Sequence, residues 1–501
     1  MTAYSLQKIT RTIMFAGLLV LPELTLAAKT SVNTAAKCPS DKICMTVLVD
    51  NKNTSVPAAN GTLYLTLFGA QGPTTMIKPN GSSFNLGESI KFKDLNASGA
   101  SVNTAKFIIQ TSDDTPFSSG RLYLSESNLS GNQPAVNVPF RYDYVEFTII
   151  EGSMVNGDVS GIDQVGIPSK LEFQDANGST LNNAGTKKPA MRKMGCWTDI
   201  YNAVSTDANL SNPAWDASTI SILTNSGTKL RLAGPSAMPS GYAGYPSMEK
   251  YVKAMANQKV TISGYFAGNT ALNLKPTYYK YTGTFDTAGN LALSGTLSSD
   301  KNGTTSNANY PKPQSIYLPG LAFYDTMANT SWDRNGTVVS YGTGFGVYGQ
   351  NGPYQLGGTK PVAGKNGSWK YTQGNGVFYL SIGNDVYGWI YGDLIASMAN
   401  GVLGPLGYDT SKWNTNKDAS GTAYASAQKA FSAVYADPTK IPKYAAWDFW
   451  QQAVSTTSDS YGVSLGDRFN FIGAKSSSPD MSTDTNTSII KVTLLANDGC
   501  E

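Results

Sequence analysis

Two carboxylates in the N-terminal half of the chain have the residue types and the spacing of an acid-base pair. Glu146 lies in an alternating, strand-like run, and Asp163 closes the polar loop that follows it. The interval between them is long enough for a strand, a turn and a return, so the two acids can face each other across a cleft. Two facing carboxyl groups are the arrangement that hydrolyses glycosidic bonds.

Histidine is absent from all 501 residues. Ser-His-Asp and Cys-His nucleophiles, His-ligated zinc and imidazole acid-base chemistry are therefore excluded. If the chain is an enzyme, carboxylates are the leading candidates for proton transfer, and a reaction carried by two of them requires neither a metal nor a cofactor.

The sequence around the first acid predicts a strand with one apolar and one polar face. Alternation separates two sets of side chains, the first being Val145, Phe147 and Ile149 and the second Tyr144, Glu146 and Thr148. The first set suits a core and the second a solvent-filled cleft. Residues 151–161 contain Gly, Asn and Ser and should turn the chain back, and we expect Asp163 to be partly buried between apolar neighbours.

Other acids close to this pair remain alternatives, namely Glu151, Asp158, Glu172 and Asp175. Asp158 is the most plausible rival base. An arbitrary Glu or Asp is usually a solvated surface residue. The apolar and aromatic strand neighbours of Glu146 favour a functional role there instead.

Short alternating runs bounded by Gly, Asn, Pro and Ser predict a mainly β fold, either a sandwich or a barrel. Such runs occupy 45–50, 62–68, 121–124 and 489–495. Helical spacing is found later in the chain, after an N-cap at Ser247 and over 422–435 and 444–454. Aromatic stripes on these helices are more typical of a core than of a ligand platform.

The chain contains no linker or internal repeat that divides it cleanly. We expect an N-terminal segment at 29–44, a β-rich part carrying both acids at 45–240 and a mixed α/β part at 241–470. Residues 471–501 should supply a last strand that returns to the β-rich part. The β-rich and mixed parts would form a cleft.

Residues 1–28 have the pattern of an export signal. Lys8 and Arg11 precede the apolar run 13–21, which is too short to span a bilayer, and small residues surround Ala27. Cleavage there would leave the mature protein extracellular or periplasmic, without a membrane span. An uncleaved anchor is the alternative.

The four cysteines suit an oxidising compartment, although the sequence alone allows three pairings. We predict that Cys38 pairs with Cys44 and Cys196 with Cys500. A zinc site is the competing and weaker interpretation, since no CxxC spacing is present.

Composition gives a broad indication of the partner. Charged residues make up 15% of the chain, and a formal charge of +3 is spread along it, whereas nucleic-acid binding would cluster Lys and Arg. A surface rich in hydroxyls, amides and aromatic rings suits a neutral polysaccharide. Secreted all-β proteins often share this composition, so it does not decide the function.

From Met45 onward, several motifs resemble, in the same order, the laminaripentaose-producing β-1,3-glucanases of glycoside hydrolase family 64. The matching pieces are Ser119-Gly-Arg-Leu-Tyr123, Tyr144-Val-Glu-Phe-Thr148, Asn156 to Ser160, Ile162-Asp163, Val165-Gly-Ile-Pro168, Arg231-Leu-Ala-Gly-Pro235 and Tyr387-Gly-Trp-Ile-Tyr-Gly-Asp393. The resemblance implies a thaumatin-like β-sandwich or barrel and hydrolysis with inversion, with Glu146 as general acid and Asp163 as general base.

The resemblance also implies residues that line a glucan groove. Thr148 and Ser160 match the hydroxyl residues of that groove, and Asn156 and Tyr144 are weaker candidates for the same wall. Two further aromatic residues, Trp389 and Tyr391, are equally well interpreted as stacking faces for sugar rings or as core residues.

The leading hypothesis is a secreted, monomeric, endo-acting β-1,3-glucan hydrolase. A second hypothesis is a non-catalytic β-glucan-binding or structural protein on the same scaffold. A third, an adhesion protein unrelated to sugar, suits the composition but leaves the collinear motifs unexplained.

Overall fold

The fold is described from a computed structural model. It covers 38–39, 41–52, 62–70, 74–97, 100–112, 117–129, 131–134, 138–150 and 154–181, and then stretches between 191 and 495 whose longest gaps are 203–220, 235–251, 410–449 and 463–480. Several predictions lie outside these residues: the export signal at 1–28, the N-cap at Ser247, the helix at 422–435 and the pair Cys196 with Cys500.

The N-terminal part consists mostly of strands. They are β1 (Lys42–Asn51), β2 (Tyr64–Ala70), β3 (Thr75–Ile77), β4 (Ser83–Phe84), β5 (Ser89–Lys91), β6 (Thr104–Ser112), β7 (Phe117–Ser125), β8 (Tyr142–Ile150), β9 (Met154–Asp158), β10 (Gln164–Val165), β11 (Ser169–Gln174), β12 (Met191–Lys193), β13 (Ser221–Leu223) and β14 (Lys229–Ala233). A 3-10 helix spans Phe92–Leu95.

The later part adds further strands and one helix with described bounds. They are β15 (Lys259–Phe266), β16 (Thr277–Phe285), β17 (Leu291–Ser298), β18 (Ile316–Leu318), β19 (Thr330–Arg334), β20 (Thr337–Tyr341), β21 (Tyr354–Leu356), β22 (Val362–Ala363), β23 (Trp369–Lys370), β24 (Val377–Tyr379), α1 (Val386–Ala399), β25 (Tyr408–Asp409), β26 (Met481–Ser482) and β27 (Ile489–Leu494).

Two large sheets share one core in the N-terminal part. The first has the order β12-β11-β27-β1-β6-β3-β4 and the second the order β26-β9-β8-β7-β2-β5. Apolar side chains from both sheets belong to the same buried cluster, with Val47 and Phe107 from the first and Leu122 and Phe147 from the second. Strand alternation turns the opposite face of β8 away from this core, so the core fixes which β8 side chains project outward.

The strand nearest the C-terminus lies inside the first sheet. β27 pairs in parallel with β1 and antiparallel with β11. Its buried residues Ile490, Val492 and Leu494 join the common core. The two ends of the described chain therefore meet in one sheet.

A third sheet of seven strands has the order β24-β21-β18-β17-β16-β15-β25. Helix α1 packs against it through Trp389, whose ring centroid lies 5.9 Å from that of Phe266 on β15. A smaller sheet, β10-β14-β13, lies beside the carboxylate segment and holds β10 by its pairing with β14.

The prediction of a mainly β protein is confirmed, and so is the predicted disulfide between Cys38 and Cys44. Of the predicted helix at 444–454, the structure describes Trp450, Gln451, Ala453 and Val454, all of them helical. Within the described residues, no helix has the length and apolar character needed to cross a membrane.

Candidate active site

The candidate site lies on the outward face of the second sheet, where three neighbouring strands place polar side chains side by side. In the register of β7, β8 and β9, Arg121 lies opposite Glu146, and Glu146 lies opposite Asp158. Directly opposed residues project from the same face of a sheet. A cation and two acids therefore form one row across the three strands.

Arg121 and Glu146 form an ion pair in this row. Nε of Arg121 donates a hydrogen bond to Oε1 of Glu146 over 2.7 Å. The arginine side chain is 33% exposed and that of the glutamate 22%, so solvent reaches both. The pair is accessible to a ligand yet partly shielded from water, which strengthens its electrostatics.

Asp163 reaches the same guanidinium from the loop that follows β9. Its Oδ2 lies 3.9 Å from Nη1 of Arg121 and accepts a hydrogen bond from the Tyr144 hydroxyl over 2.7 Å. Its side chain is 34% exposed. The strand acid and the loop acid of the sequence analysis are thus brought together, with Arg121 between them.

The bridge by one guanidinium limits the separation of the two carboxyl groups. Because both contacts are made by nitrogens bonded to the same carbon, Oε1 of Glu146 and Oδ2 of Asp163 lie at most about 9 Å apart, below the upper limit of roughly 9.5 Å for the acid pair of an inverting glycosidase.

Tyr144 lies beneath this bridge. The guanidinium carbon of Arg121 lies 5.0 Å from the centre of the Tyr144 ring, and the Tyr123 ring packs 5.1 Å from it on the other strand. Burial, with the charges of Asp163 and Glu146, raises the pKa of Tyr144 well above its ordinary value. Burial also raises the pKa of Tyr123 to about 12. Both phenols stay protonated, so Tyr144 remains a hydrogen-bond donor to Asp163.

The electrostatics of Arg121 are set by two opposing effects. Burial lowers its pKa, whereas the charges of Glu146 and Asp163 raise it, and the net shift is upward. The guanidinium therefore offers a permanent positive charge to both carboxylates that it contacts.

Two of the predicted groove residues lie beside the acid row. Thr148 and Asn156 are direct cross-strand partners on β8 and β9, and both are half-buried. The Thr148 hydroxyl accepts a hydrogen bond from the backbone N–H of Ser119 over 3.3 Å. These two side chains extend the polar face away from Glu146 toward one end of the strands.

Two other predicted groove residues are buried. Ser160 is 0% exposed, and its hydroxyl accepts the backbone N–H of Ile162, so it offers no surface to a ligand, contrary to the expectation. Tyr144 is 2% exposed, although alternation places it on the predicted face, because aromatic neighbours such as Tyr123 and Phe140 cover that end of the sheet. Its position supports Asp163 rather than lining a groove.

The two aromatic residues of the later motif belong to helix α1. Tyr391 is 0% exposed, and its ring stacks on Tyr354 at 5.6 Å, so it cannot offer a face to a sugar in this structure. Trp389 is half-buried against Phe266. Tyr391 is therefore a core residue in this structure, because the third sheet covers that side of the helix.

A family model described as β-1,3-glucanase, glycoside hydrolase family 64, matches residues 45–317, which is more than half of the chain. The chain belongs to glycoside hydrolase family 64. It is therefore a glycoside hydrolase by family, and the resemblance of the sequence motifs is confirmed. No curated protein matches the sequence significantly.

Solved β-1,3-glucanase structures are distant from this chain in sequence and match it over different shares of its length. A laminaripentaose-producing β-1,3-glucanase in complex with laminaritetraose shares 12% identity over 91% of this chain and 99% of its own, with a TM-score of 0.43. A family 64 β-1,3-glucanase domain from Clostridium beijerinckii shares 13% over 90% and 98%, with a TM-score of 0.42. A family 64 enzyme from Paenibacillus barengoltzii shares 18% over 41% and 52%, with a TM-score of 0.23. The family assignment rests on the sequence match.

Arg121, which the structure places in contact with both acids, is not singled out in the sequence analysis. It lies within the matched motif Ser119 to Tyr123, but its contact with Glu146 depends on the register between β7 and β8. The sequence signal for Arg121 is a basic residue at an outward position of the strand next to the one that carries Glu146.

Asp158, the rival base of the sequence analysis, lies opposite Glu146 and therefore on the same face of the sheet.

Proposed function

We propose that the protein is a secreted, endo-acting β-1,3-glucanase that hydrolyses its substrate with inversion, Glu146 being the general acid and Asp163 the general base. The observation that carries the proposal is the single guanidinium of Arg121 in contact with both carboxylates on an accessible sheet face. Family membership supplies the substrate class.

The reaction uses one water molecule and both acids. Asp163 takes a proton from water, whose oxygen forms a bond to the anomeric carbon from one side of the sugar. Glu146 gives a proton to the glycosidic oxygen on the other side as the bond from the anomeric carbon to that oxygen breaks. The anomeric configuration is inverted, and the exchange of protons with solvent restores both groups.

Tyr144 supports the base role of Asp163. A hydroxyl that donates to one carboxylate oxygen fixes the orientation of that carboxylate. The hydrogen bond of 2.7 Å from Tyr144 therefore supports a base held in one position for the attacking water.

The acid role of Glu146 requires a proton on a group that touches Arg121. The proposed acid step therefore requires that substrate binding loosens the hydrogen bond from Nε of Arg121 to Oε1 of Glu146, with a sugar hydroxyl accepting that N–H instead.

A second candidate function is β-glucan binding without turnover. The ion pair between Arg121 and Glu146 favours it, because this contact occupies the strand acid and would have to loosen before Glu146 could act on a glycosidic oxygen. The acid face, Thr148 and Asn156 would then serve as a polar binding surface for the polysaccharide.

Reducing-end release from laminarin separates the two candidates. The wild type should release oligosaccharides, and Glu146→Gln and Asp163→Asn should each lower kcat by roughly 100-fold or more. The anomer formed first, followed by NMR before mutarotation, should be the α form. Binding of laminarin without release by the wild type would favour the second candidate, and a β anomer would contradict inversion.

Two matched controls are available. Glu172→Gln changes another strand glutamate paired with a cation, Lys491 at 3.8 Å, in the other large sheet. Asp175→Asn changes another loop aspartate that accepts hydrogen bonds. Both should keep wild-type kcat, and a loss of activity in either would attribute the effect to charge removal in general.

Secretion is tested by expressing the full chain in a host with an export system. The N-terminal pattern of the first 28 residues supports cleavage near Ala27. N-terminal sequencing of protein recovered outside the cytoplasm should begin close to that position, and an intact N-terminus on membranes would indicate an anchor.

A further inference from the structure

The segment that carries Asp163 is fixed at several points along its backbone. The Gly161 carbonyl accepts the indole N–H of Trp450 over 2.9 Å, and the Asp163 carbonyl accepts the N–H of Gly234 over 2.6 Å. The Gln164 side chain donates to the Tyr142 carbonyl on β8 over 2.8 Å. A loop with this many partners has one position, so the base is placed by its backbone as well as by its side chain.

A buried carboxylate on β8, Asp143, makes the strongest of these attachments. Its Oδ2 accepts the backbone N–H of Gly166 over 2.6 Å and that of Ile167 over 3.0 Å. Its Oδ1 accepts the N–H of Tyr144 over 2.9 Å. The residue is 0% exposed, so these contacts replace the water that a carboxylate would otherwise bind.

The backbone on the other side of this contact has no room for a side chain. A Cβ at Gly166 would lie 2.3 Å from the Tyr142 carbonyl oxygen. The glycine lets the returning segment approach β8 closely enough for its N–H to reach Asp143. The missing side chain at Gly166 and the buried carboxylate of Asp143 therefore act at the same contact between β8 and the returning segment. This contact lies three residues after Asp163.

We propose that Asp143 is a positioning residue for catalysis, which clamps the segment 163–167 to β8 so that Asp163 stands at a fixed distance from Glu146. The clamp and the acid belong to one strand, since Asp143 and Glu146 are both in β8. This inference rests on the proposed roles of Glu146 and Asp163. The hydroxyl of Tyr144, the residue next to Asp143, then completes the placement of the base.

The surroundings of Asp143 fit a buried hydrogen-bond acceptor that holds two segments together. Burial raises its pKa to about 7, and the backbone N–H groups of Gly166, Ile167 and Tyr144 oppose that rise, as does the charge of Arg231. Arg231 on β14 is itself buried and donates to the carbonyls of Phe140 and Val138, just before β8. One cation and three N–H donors thus face the carboxylate.

The test compares Asp143→Ala with the wild type on laminarin. Alanine removes both carboxylate oxygens, so the N–H groups of Gly166 and Ile167 lose their acceptor, whereas an asparagine could keep its amide oxygen toward both of them. We expect kcat to fall roughly 10- to 100-fold, because a displacement of about 1 Å at a reacting group costs that much, with KM for laminarin unchanged. Hydrogen exchange should show lost protection at the amides of Gly166 and Ile167.

Two controls separate positioning from general stability. Asp175→Asn changes an aspartate that accepts hydrogen bonds from the N–H groups of Asn177 and Ser179, within the turn that follows β11. Ile109→Val weakens the common core from the other large sheet. Both variants should keep kcat and the exchange pattern of 163–167, even where the melting temperature falls.

The outcomes distinguish this inference from the function on which it rests. A wild type without activity, with lost amide protection in Asp143→Ala, would overturn the proposed function and leave the clamp standing. An active wild type, with Asp143→Ala equal to it in kcat and in protection, would overturn the clamp. A fall in kcat matched by Ile109→Val at equal stability would also overturn it.

Discussion

Two regions of this molecule contain the same chemical pair, a tyrosine hydroxyl bonded to an aspartate. On the outward face of the second sheet, Tyr144 donates to Asp163. Between the third sheet and helix α1, Tyr279 on β16 donates to Asp393 on α1. The tyrosines are alike, at 2% and 3% exposed. The aspartates differ, since the Asp163 side chain is 34% exposed whereas Asp393 is 1% exposed.

The difference teaches that accessibility, rather than the pair itself, separates a carboxylate that can do chemistry from one that holds a fold together. Asp393 joins a helix to a sheet beneath packed rings, as the stacked pair Tyr354 and Tyr391 shows. Asp163 joins a loop to a sheet at an open face, beside a second acid and Arg121. A buried carboxylate requires a hydrogen-bond donor to offset the loss of water, whereas an exposed carboxylate can exchange its donor for a substrate group.

The largest expected effect is a crossed result on replacing each aspartate by alanine. Asp163→Ala should lower kcat on laminarin by roughly 100-fold or more and cost less free energy of unfolding than Asp393→Ala, because water can replace the exposed carboxylate as the acceptor for Tyr144. Asp393→Ala should reduce that free energy by about 1–3 kcal/mol, because Tyr279 loses its buried acceptor, with kcat per folded molecule retained. Chemical denaturation and initial rates measure the two quantities, and parallel losses in both variants would remove the distinction.

A second prediction concerns Asp143, which lies in the first region but is buried as Asp393 is. Its pKa in the folded protein is raised from 3.8 to about 7, so the folded state binds its proton more tightly than the unfolded state. The resulting stabilisation is fully present below pH 3.8 and is lost as the pH rises through about 7. Urea denaturation across that range should show wild-type stability falling relative to Asp143→Asn, which does not titrate.

A stability difference between wild type and Asp143→Asn that stays constant with pH would show that the pKa of Asp143 is the same in the folded and unfolded states. The three N–H donors and Arg231 would then balance the effect of burial. In that case Asp143 would be charged as the exposed aspartates are, and the burial of a carboxylate would no longer distinguish the two regions.

A third, smaller effect is expected from Arg121, the cation beside the accessible acids. In Arg121→Gln the basic limb of the pH profile of kcat/KM should move to higher pH, because the removal of a neighbouring positive charge makes the general acid easier to keep protonated. Lys491→Gln, which unpairs Glu172 in the other sheet, is the control and should leave the profile in place. If the basic limb of the pH profile does not move in Arg121→Gln, Glu146 is not the group that donates the proton.

The smallest effect is expected at the aromatic rings. Tyr391→Phe should leave KM for laminarin unchanged and alter the free energy of unfolding by about 1 kcal/mol or less, since the ring is enclosed between helix and sheet. Asn156→Ala, on the open face, should raise KM several-fold. A raised KM in Tyr391→Phe would mean that the helix exposes its ring to the polysaccharide.

Local patterning predicted a good part of the site. Alternation along β8 assigned Glu146 to the outward face and Val145 to the core, and Gly and Asn residues after it predicted the return that carries Asp163. These are short-range properties of a strand and a turn, which the sequence encodes directly. The fold class followed from the same alternation repeated along the chain.

Contacts between strands could not be predicted in this way. The pairing of Arg121 with Glu146 requires the register of β7 against β8, and that register contains an irregularity between Phe117 and Gly120. The burial of Tyr391 and Ser160 likewise depends on what packs over them from distant segments, which periodicity does not encode. Residue type and alternation alone therefore placed the acids and misjudged part of their surroundings.

The position of β27 between β1 and β11 bears on the order of events during folding. Residues 489–494 are needed to satisfy the backbone of β1 and of β11, although β1 is synthesised some hundreds of residues earlier. Until they arrive, both strands present unpaired edges that can join another chain, and pairing over such sequence distances is slow. The half of the molecule that holds both acids therefore completes its sheet only after the opposite end of the chain has emerged.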